Sequence, residues 1–150
     1  MFERVAIIGA GFTPFRPVTP EVSFRELIFE AAVKAYEDAG IEPNDVSTFV
    51  SITEDYVEGM AIADEYVPDQ LGAVLKPVHT VTSDGITGLA SLVMQLETEQ
   101  LDVAVIEGHS KASNIDFPAH IEAFALDPVF ARPLGFHPRF LAGMEMRRIL

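Results

Sequence analysis

The residues best placed to do chemistry lie between Thr80 and Gly88, in the segment T-V-T-S-D-G-I-T-G. Ser83 and Asp84 supply a hydroxyl and a carboxylate, which could act as a nucleophile and a base. Nothing in the sequence places a base beside Ser83, and either side chain is a good N-cap for the helical pattern that follows. Capping is therefore the favoured interpretation, and catalysis by Ser83 or Asp84 is the alternative.

An apolar stripe at helical spacing follows this segment directly. Its members are Ile86, Leu89, Ala90, Val93 and Leu96. A β-rich stretch precedes it, so the polar residues are predicted to stand where a strand ends and free helix amides begin. Such a position lowers the pKa of a thiol, but the chain has no cysteine. Disulfides, thiolate metal sites and a cysteine nucleophile are thereby excluded.

The histidines show no metal-ligand spacing, and we predict no metal site. They are His79, His109, His120 and His137. Singly, a histidine is more often a hydrogen-bonded surface or turn residue than a ligand. His109 is the best functional candidate among them, because it follows a predicted strand at the carboxyl end, where α/β sites usually lie.

The net charge and hydropathy of the chain indicate which kinds of partner it can bind. The chain has 150 residues, 49% of them hydrophobic, with a mean hydropathy of +0.24 and a formal net charge of −13. That charge argues against nucleic acid and anionic membrane surfaces. No apolar run is long enough to span a bilayer and no leader is evident, so we expect a cytoplasmic protein. The apolar content favours elements buried on several sides or a large interface with another chain.

The first apolar run, Val5–Ile8, is closed by Gly9-Ala10-Gly11 and predicts a strand buried on both faces. Glycines after a strand invite a dinucleotide-binding interpretation. Pro14 stands where the third glycine should be, and no helix starts until Ser23. The fingerprint needs a helix that opens on the glycines, so this interpretation is rejected.

The remaining elements alternate between strands and helices. Ser23 and Glu26 form a capping box for a helix predicted over Phe24–Ala39, which Gly40 ends. Strands are predicted over Val46–Ile52, Val78–Thr82 and Leu101–Ile106, with a helix over Tyr56–Leu71. This order predicts an α/β fold, a mostly parallel sheet with helices on both faces.

The periodicity weakens after Ser113. We divide the chain into a core over 1–113, a loop region over 114–139, and the start of a helix over 140–150 that ends without a cap, as in a truncated or split chain. Five phenylalanines lie in or just after the loop region: Phe117, Phe124, Phe130, Phe136 and Phe140. They suit core or interface burial, or alternatively an apolar lining for an acyl tail.

Four segments in order resemble the thiolase superfamily, most closely the thiolase-like proteins grouped with sterol-carrier-protein-type thiolases. V-A-I-I-G-A-G-F-T-P-F at Val5–Phe15 resembles the opening strand and loop, and E-A-A-V-K-A-Y-E-D-A-G-I at Glu30–Ile41 resembles the first helix. V-I-E-G-H-S-K-A-S at Val105–Ser113 resembles the turn after the nucleophile helix. H-P-R-F-L-A-G-M-E-M-R-R at His137–Arg148 is similar to the helix after the loop. The resemblance implies half of a five-layer αβαβα fold.

The resemblance also aligns T-V-T-S-D-G-I-T-G-L-A with the family's nucleophile segment, Cys-x-Ser-Gly. Gly85 then takes the place of the cysteine, Thr87 that of the serine, and Gly88 that of the glycine. We expect no catalytic nucleophile at Gly85, and substrate contacts from Gly85, Thr87, Gly88 and His109. The family's catalytic histidine and second cysteine belong to a C-terminal half beyond the matched portion.

These correspondences imply a subunit of a hetero-oligomeric CoA-thioester enzyme, performing acyl transfer or retro-aldol cleavage but inactive alone. No cofactor is expected to be bound, and a coenzyme A thioester is the expected substrate. Implied partners are a C-terminal thiolase-half chain, a small OB-fold acyl-CoA-binding protein, or a second copy of the chain. The alternative is a non-catalytic structural or acyl-CoA- or lipid-binding protein with the same fold.

Overall fold

The computed structural model describes residues 4–53, 62–82, 84–115 and 117–150. The elements in chain order are α1 (Phe24–Ala39), β1 (Thr48–Ile52), α2 (Ala63–Tyr66), α3 (Pro68–Leu71), β2 (Val78–Val81), α4 (Gly85–Leu96), β3 (Ala104–Gly108), α5 (Pro118–Glu122) and α6 (Pro138–Ile149). Short 3-10 turns lie at Pro43–Asp45, Ala112–Asn114, Ala123–Ala125 and Arg132–Leu134. None of the described helices is long and apolar enough to cross a membrane.

The three described strands form a parallel sheet in the order β2-β1-β3. Ser51 in the central strand pairs with Thr80 on one side and with Glu107 on the other. Because the strands are parallel, their carboxyl ends meet at one edge of the sheet. We call this the carboxyl edge. The predicted α/β fold with a parallel sheet is thereby confirmed.

Helices cover both faces of the sheet. Phe49 is fully buried and packs on one face with residues of α1 and α3, including Ile28 and Leu71. Side chains alternate along a strand, so Ile52 points to the opposite face. There α4 contacts β1 and β3, with Gly88 against Ile52 and Ile106. The central strand is thus buried from both sides, whereas the edge strand β3 is only half-buried.

The caps of α1 match the sequence prediction. The Ser23 hydroxyl accepts from the Glu26 N–H at 3.2 Å, and the Glu26 carboxylate accepts from the Ser23 N–H at 2.7 Å. These hydrogen bonds hold the pKa of Glu26 below its ordinary value, the bond from the Ser23 backbone contributing most. Gly40 ends the helix in the left-handed conformation, with φ at 67°.

The strand predicted over Val5–Ile8 is absent from the described structure, and that prediction was wrong. Ile7 is 78% exposed and Ile8 is 55% exposed. The segment instead packs through its glycines on α1, where a Cβ on Gly9 would lie 2.6 Å from the Ala39 Cβ. An apolar run becomes a buried strand only when a neighbouring strand pairs with it, and here a helix is its neighbour.

The single helix predicted over Tyr56–Leu71 is wrong in the part that the structure describes. Residues 54–61 lie outside the described residues. Beyond them the chain forms two short helices, α2 and α3, rather than one. Pro68 occupies the first position of α3, and its missing N–H cannot continue the α2 hydrogen-bond ladder.

Four predicted elements differ from the structure mainly in their bounds. The strands predicted over Val46–Ile52 and Val78–Thr82 are observed over Thr48–Ile52 and Val78–Val81. The strand predicted over Leu101–Ile106 is observed over Ala104–Gly108. The helix predicted from Phe140 starts at Pro138, where the His137 ring nitrogen accepts from the Arg139 N–H at 3.2 Å. The division of the chain at 113 and 139 stays a prediction; the region between contains short helical turns.

Candidate functional site

The N-terminus of α4 is closed by the Asp84 side chain. Its Oδ1 accepts from the N–H groups of Ile86 and Thr87, each at 2.9 Å. The Thr87 N–H, as the principal cause, holds the pKa of Asp84 below its ordinary value. Asp84 is therefore an ionised N-cap, which is the favoured sequence interpretation. Ser83 lies outside the described residues.

The two glycines of this turn meet different surroundings. A Cβ on Gly85 would have no heavy atom within 4 Å, whereas a Cβ on Gly88 would lie 2.7 Å from Ile52 Cδ1. Gly85 and Thr87 are exposed and Gly88 is buried. Close packing of α4 on the sheet thus accounts for Gly88, whose predicted substrate contact stays a prediction. Gly85 and Thr87 are the members of the motif that a ligand can reach.

His109 belongs to a buried cluster that also contains Glu107 and Ser51. The His109 Nδ1 lies 3.1 Å from Glu107 Oε2, and the side chains are 3% and 10% exposed. The Ser51 hydroxyl donates a short hydrogen bond to the other carboxylate oxygen, Oε1. The His109 ring stacks on Phe24 of α1, with ring centroids 5.7 Å apart. We call Ser51, Glu107 and His109 the carboxyl-edge cluster.

Sequence reasoning identified His109 but missed Glu107 and Ser51. Glu107 and His109 are two residues apart, a spacing that puts both side chains on one face of an extended chain. That signal was present in V-I-E-G-H. Ser51 carried no comparable signal, because only the pairing of β1 with β3 places it opposite Glu107.

The predicted site residues fall into two groups. Asp84, Gly85 and Thr87 share the first turn of α4 on one face of the sheet. His109 lies on the other face, beside Phe24 of α1. Both groups stand at the carboxyl edge, since α4 follows β2 and His109 follows β3. A ligand that contacts both must therefore reach across this edge.

The other histidines have local hydrogen-bonding or stacking partners. His79 lies 3.1 Å from the Gln95 side chain, His120 stacks on Phe117, and His137 caps α6. Within the described ranges, no three His, Cys, Asp or Glu side chains cluster in a way that could hold a metal ion. The donor groups of the described chain therefore assemble no metal centre.

The five phenylalanines of the C-terminal region are exposed in this chain. Their exposed fractions run from 46% for Phe136 to 81% for Phe130. Burial in the chain's own core is therefore wrong for them. Burial against another chain and lining of an acyl site stay predictions.

Known proteins resemble this chain in sequence and in fold. It is 28% identical over 151 aligned positions to an acetyl-CoA acetyltransferase of Methanothermobacter thermautotrophicus, covering 96% of this chain and 39% of the relative. It is 33% identical over 122 positions to an acetyl-CoA acetyltransferase of Methanocaldococcus jannaschii, covering 74% of this chain and 29% of the relative. The chain thus spans less than two fifths of the length of either. No protein-family model matches it.

The fold has a counterpart among solved structures. The 3-oxoacyl-[acyl-carrier-protein] synthase III of Aquifex aeolicus VF5 superposes with a TM-score of 0.56 and 16% identity, covering 64% of this chain and 32% of that one. This likeness concerns the fold, which is thiolase-like. Sequence and fold together relate the chain to the thiolase superfamily, over a part of the length of that superfamily's members.

Proposed function

We propose that the chain is a thiolase-like subunit of a hetero-oligomeric CoA-thioester enzyme, which performs acyl transfer or retro-aldol carbon–carbon cleavage and is inactive alone. Two relatives named acetyl-CoA acetyltransferase support the substrate class. In this proposal the chain binds part of the thioester and other polypeptides supply the missing reactive groups. We place the assembly in the cytoplasm.

The observation that carries the proposal is the open position of Gly85. The residue is exposed at the first position of α4, and a side chain there would meet no heavy atom within 4 Å. Thiolase-type acyl transfer needs a thiolate to carry the acyl group, and the chain has no cysteine. The space above Gly85 is open instead to receive part of a thioester, at the exposed first turn that also contains Thr87.

Exposed apolar side chains support the partner proposal. Phe15 and Leu75 are fully exposed, and Ile7, Ile86 and Ile149 are more than three-quarters exposed. Exposed apolar surface on this scale is typical of a chain that buries it against another. We propose a C-terminal thiolase-half chain or a small OB-fold acyl-CoA-binding protein as the partner, with a homodimer as the further possibility.

The test compares complexes that contain Gly85→Phe or Gly143→Phe. Both glycines have open space around the Cβ position, but only Gly85 lies at the proposed site. The chain is co-produced with a candidate partner, and turnover of acetoacetyl-CoA and 3-hydroxybutyryl-CoA is measured. We expect Gly85→Phe to abolish turnover and Gly143→Phe to retain it. Equal activity in the two variants would refute the role of Gly85.

The alternative is a non-catalytic acyl-CoA- or lipid-binding protein. It is favoured by Asp84, whose carboxylate occupies two first-turn amides that could otherwise bind a developing negative charge. Calorimetric titration of the chain with acetyl-CoA separates the two functions. Binding that Gly85→Phe removes, without turnover by any complex, would favour the alternative.

A further inference from the structure

The C-terminal part of the chain is opposite in charge to the rest. Residues 128–150 contain four basic residues and one acidic residue, a formal charge of +3. Residues 1–127 contain six basic and 22 acidic residues, a formal charge of −16. Opposite charges on two parts of one chain favour contact between copies of that chain, provided that the charges are exposed and are not already paired within each copy.

The helix α6 presents an apolar and cationic face. None of its 12 residues, all of them described, is buried. Four residues at helical spacing share one side of this helix, which we call the α6 face: Phe140, Met144, Arg147 and Arg148. Phe140 and Met144 are each more than half exposed. Within the described ranges, neither Arg147 nor Arg148 forms an ion pair. The α6 face therefore offers apolar area and two positive charges to another molecule.

The segment 63–75, which we call the acidic segment, presents the opposite charge. It contains α2, α3 and the turn before β2, with three acidic residues and no basic one. Glu65 and Asp69 are exposed, and neither forms an ion pair in the part of the chain that the structure describes. Tyr66 lies beside Glu65 in α2 and is 43% exposed. Apolar and charged groups are thus mixed here as on the α6 face, with the sign of the charge reversed.

The turn at the end of the acidic segment displays a leucine in an unfavourable backbone conformation. Leu75 has a φ of 64° and is fully exposed. The Lys76 N–H donates to the Ala73 carbonyl at 2.9 Å, so Leu75 takes the third position of a β-turn, where a positive φ favours glycine or asparagine. Lys76 fixes this turn, because its ammonium group donates to the Pro43 and Val46 carbonyls at 2.6 and 2.8 Å. A strained and exposed apolar side chain on a rigid turn suits an anchor that packs into a partner.

We propose that the acidic segment of one copy of the chain binds the α6 face of a second copy. The two arginines of the α6 face lie against the carboxylates of the acidic segment, and Leu75 packs on the apolar residues beside them. A second copy is the occupant that charge complementarity favours, because each surface has its complement on the same sequence. Each copy carries both surfaces, so two copies related by a two-fold axis form both contacts at once.

This self-association goes beyond the proposed function and does not depend on it. Leu75 precedes β2 and therefore lies at the edge of the sheet opposite the carboxyl edge. None of the residues in the two surfaces belongs to the candidate site. Loss of the contact should thus leave the first turn of α4 and the carboxyl-edge cluster unchanged.

The first measurement is the mass of the chain in solution across micromolar concentrations, by sedimentation velocity. We expect a monomer–dimer equilibrium that weakens with added salt, because salt screens exposed charges. A chain that stays monomeric at low salt would overturn the proposal. A chain that is monomeric alone and associates only with a co-produced partner would also overturn it, since the two surfaces would then belong to that partner.

The second measurement exchanges the charges of the two surfaces. One variant carries Arg147→Glu with Arg148→Glu, and the other carries Glu65→Arg with Asp69→Arg. Each variant places like charges across both contacts of its own dimer, so each should self-associate at least about 100-fold more weakly than the native chain. When the two variants are mixed, both contacts pair opposite charges, and we expect a heterodimer. Such rescue also shows that both variants are folded. Variants that stay monomeric when mixed, or that self-associate like the native chain, would refute the proposal.

The third measurement tests Leu75 as the anchor. Leu75→Asn removes the apolar side chain but keeps a residue that tolerates a positive φ, and self-association should weaken at least about 10-fold. Phe15→Asn, at a residue that is equally exposed, is the matched control. Glu97→Arg with Asp102→Arg, at exposed positions outside both surfaces, is the control for net charge. Both controls should associate as the native chain does. Equal association of Leu75→Asn and Phe15→Asn would contradict the role of Leu75.

Discussion

Placing a cysteine at Gly85 tests whether the N-terminus of α4 can support a thiolate. The chain lacks cysteine, so Gly85→Cys would carry a single thiol whose alkylation reports on that position alone. A Cβ there meets open space, and a side chain at a helix start in place of glycine should not destabilise the fold. The pKa of this thiol is then set by the helix and by Asp84.

The effects of the helix N-terminus and of Asp84 on the thiol pKa nearly cancel. Charge at an exposed helix N-terminus is stabilised by about 0.3–1 kcal/mol, which lowers a thiol pKa by about 0.2–0.7 unit. The Asp84 carboxylate, at roughly 6 Å in a water-like dielectric, raises that pKa by about half a unit. Asp84 also occupies two of the amides that would otherwise face the thiolate. We therefore expect the thiol of Gly85→Cys to titrate near the ordinary value of about 8.5.

Replacing Asp84 separates these contributions. Asp84→Asn keeps a capping oxygen but removes the charge, so the thiol pKa in Asp84→Asn with Gly85→Cys should fall by about half a unit. The assay is the rate of iodoacetamide alkylation between pH 6 and 10, with Gly143→Cys inside α6 as the control. A thiol pKa that is unchanged by Asp84→Asn would refute the reasoning. High salt should shrink the difference, because both groups are exposed.

Two further predictions concern stability. The Tyr36 hydroxyl donates to the Leu71 carbonyl at 2.7 Å, and burial raises the pKa of Tyr36 to about 12. Urea titrations at pH 8 should show that Tyr36→Phe lowers the free energy of unfolding by about 1 kcal/mol, because the hydrogen bond is lost. Since the folded pKa lies above the ordinary 10.0, native stability should fall between pH 10 and 12, and a Tyr36→Phe protein that falls as steeply would contradict this. Gly88→Ala should lower the free energy of unfolding by about 1 kcal/mol, because overpacking against Ile52 outweighs the gain in helix propensity. Gly85→Ala, which places its Cβ in open space, should leave the stability unchanged. Equal melting temperatures for the two variants would contradict the packing role of Gly88.

The elements that the sequence predicted well are those with signals in their own residues. The first helix carries Ser23 and Glu26 at one end and Gly40 at the other, and all three behave in the structure as their positions predict. Asp84 likewise caps α4. These contacts are local, so a single sequence contains both partners of each.

The predictions that failed depend on partners distant in sequence. Val5–Ile8 has the composition of a buried strand but no strand beside it in the described chain, and it lies against α1 instead. Ser51 and Glu107 meet only because β1 and β3 pair, across 56 residues of sequence. No periodicity in either segment specifies that pairing, which long-range packing decides.

The residues on the α4 face and on the α1 face of the site differ in their chemistry. On the α4 face, Gly85 offers no nucleophile and the Asp84 carboxylate caps the helix N-terminus, so this face is poorly suited to a covalent acyl intermediate. On the α1 face, the Glu107 carboxylate contacts the buried His109 imidazole, whose second nitrogen has no hydrogen-bond partner in the described chain. The described residues thus place an ionised helix cap on one face of the sheet and a hydrogen-bonded carboxylate and imidazole on the other.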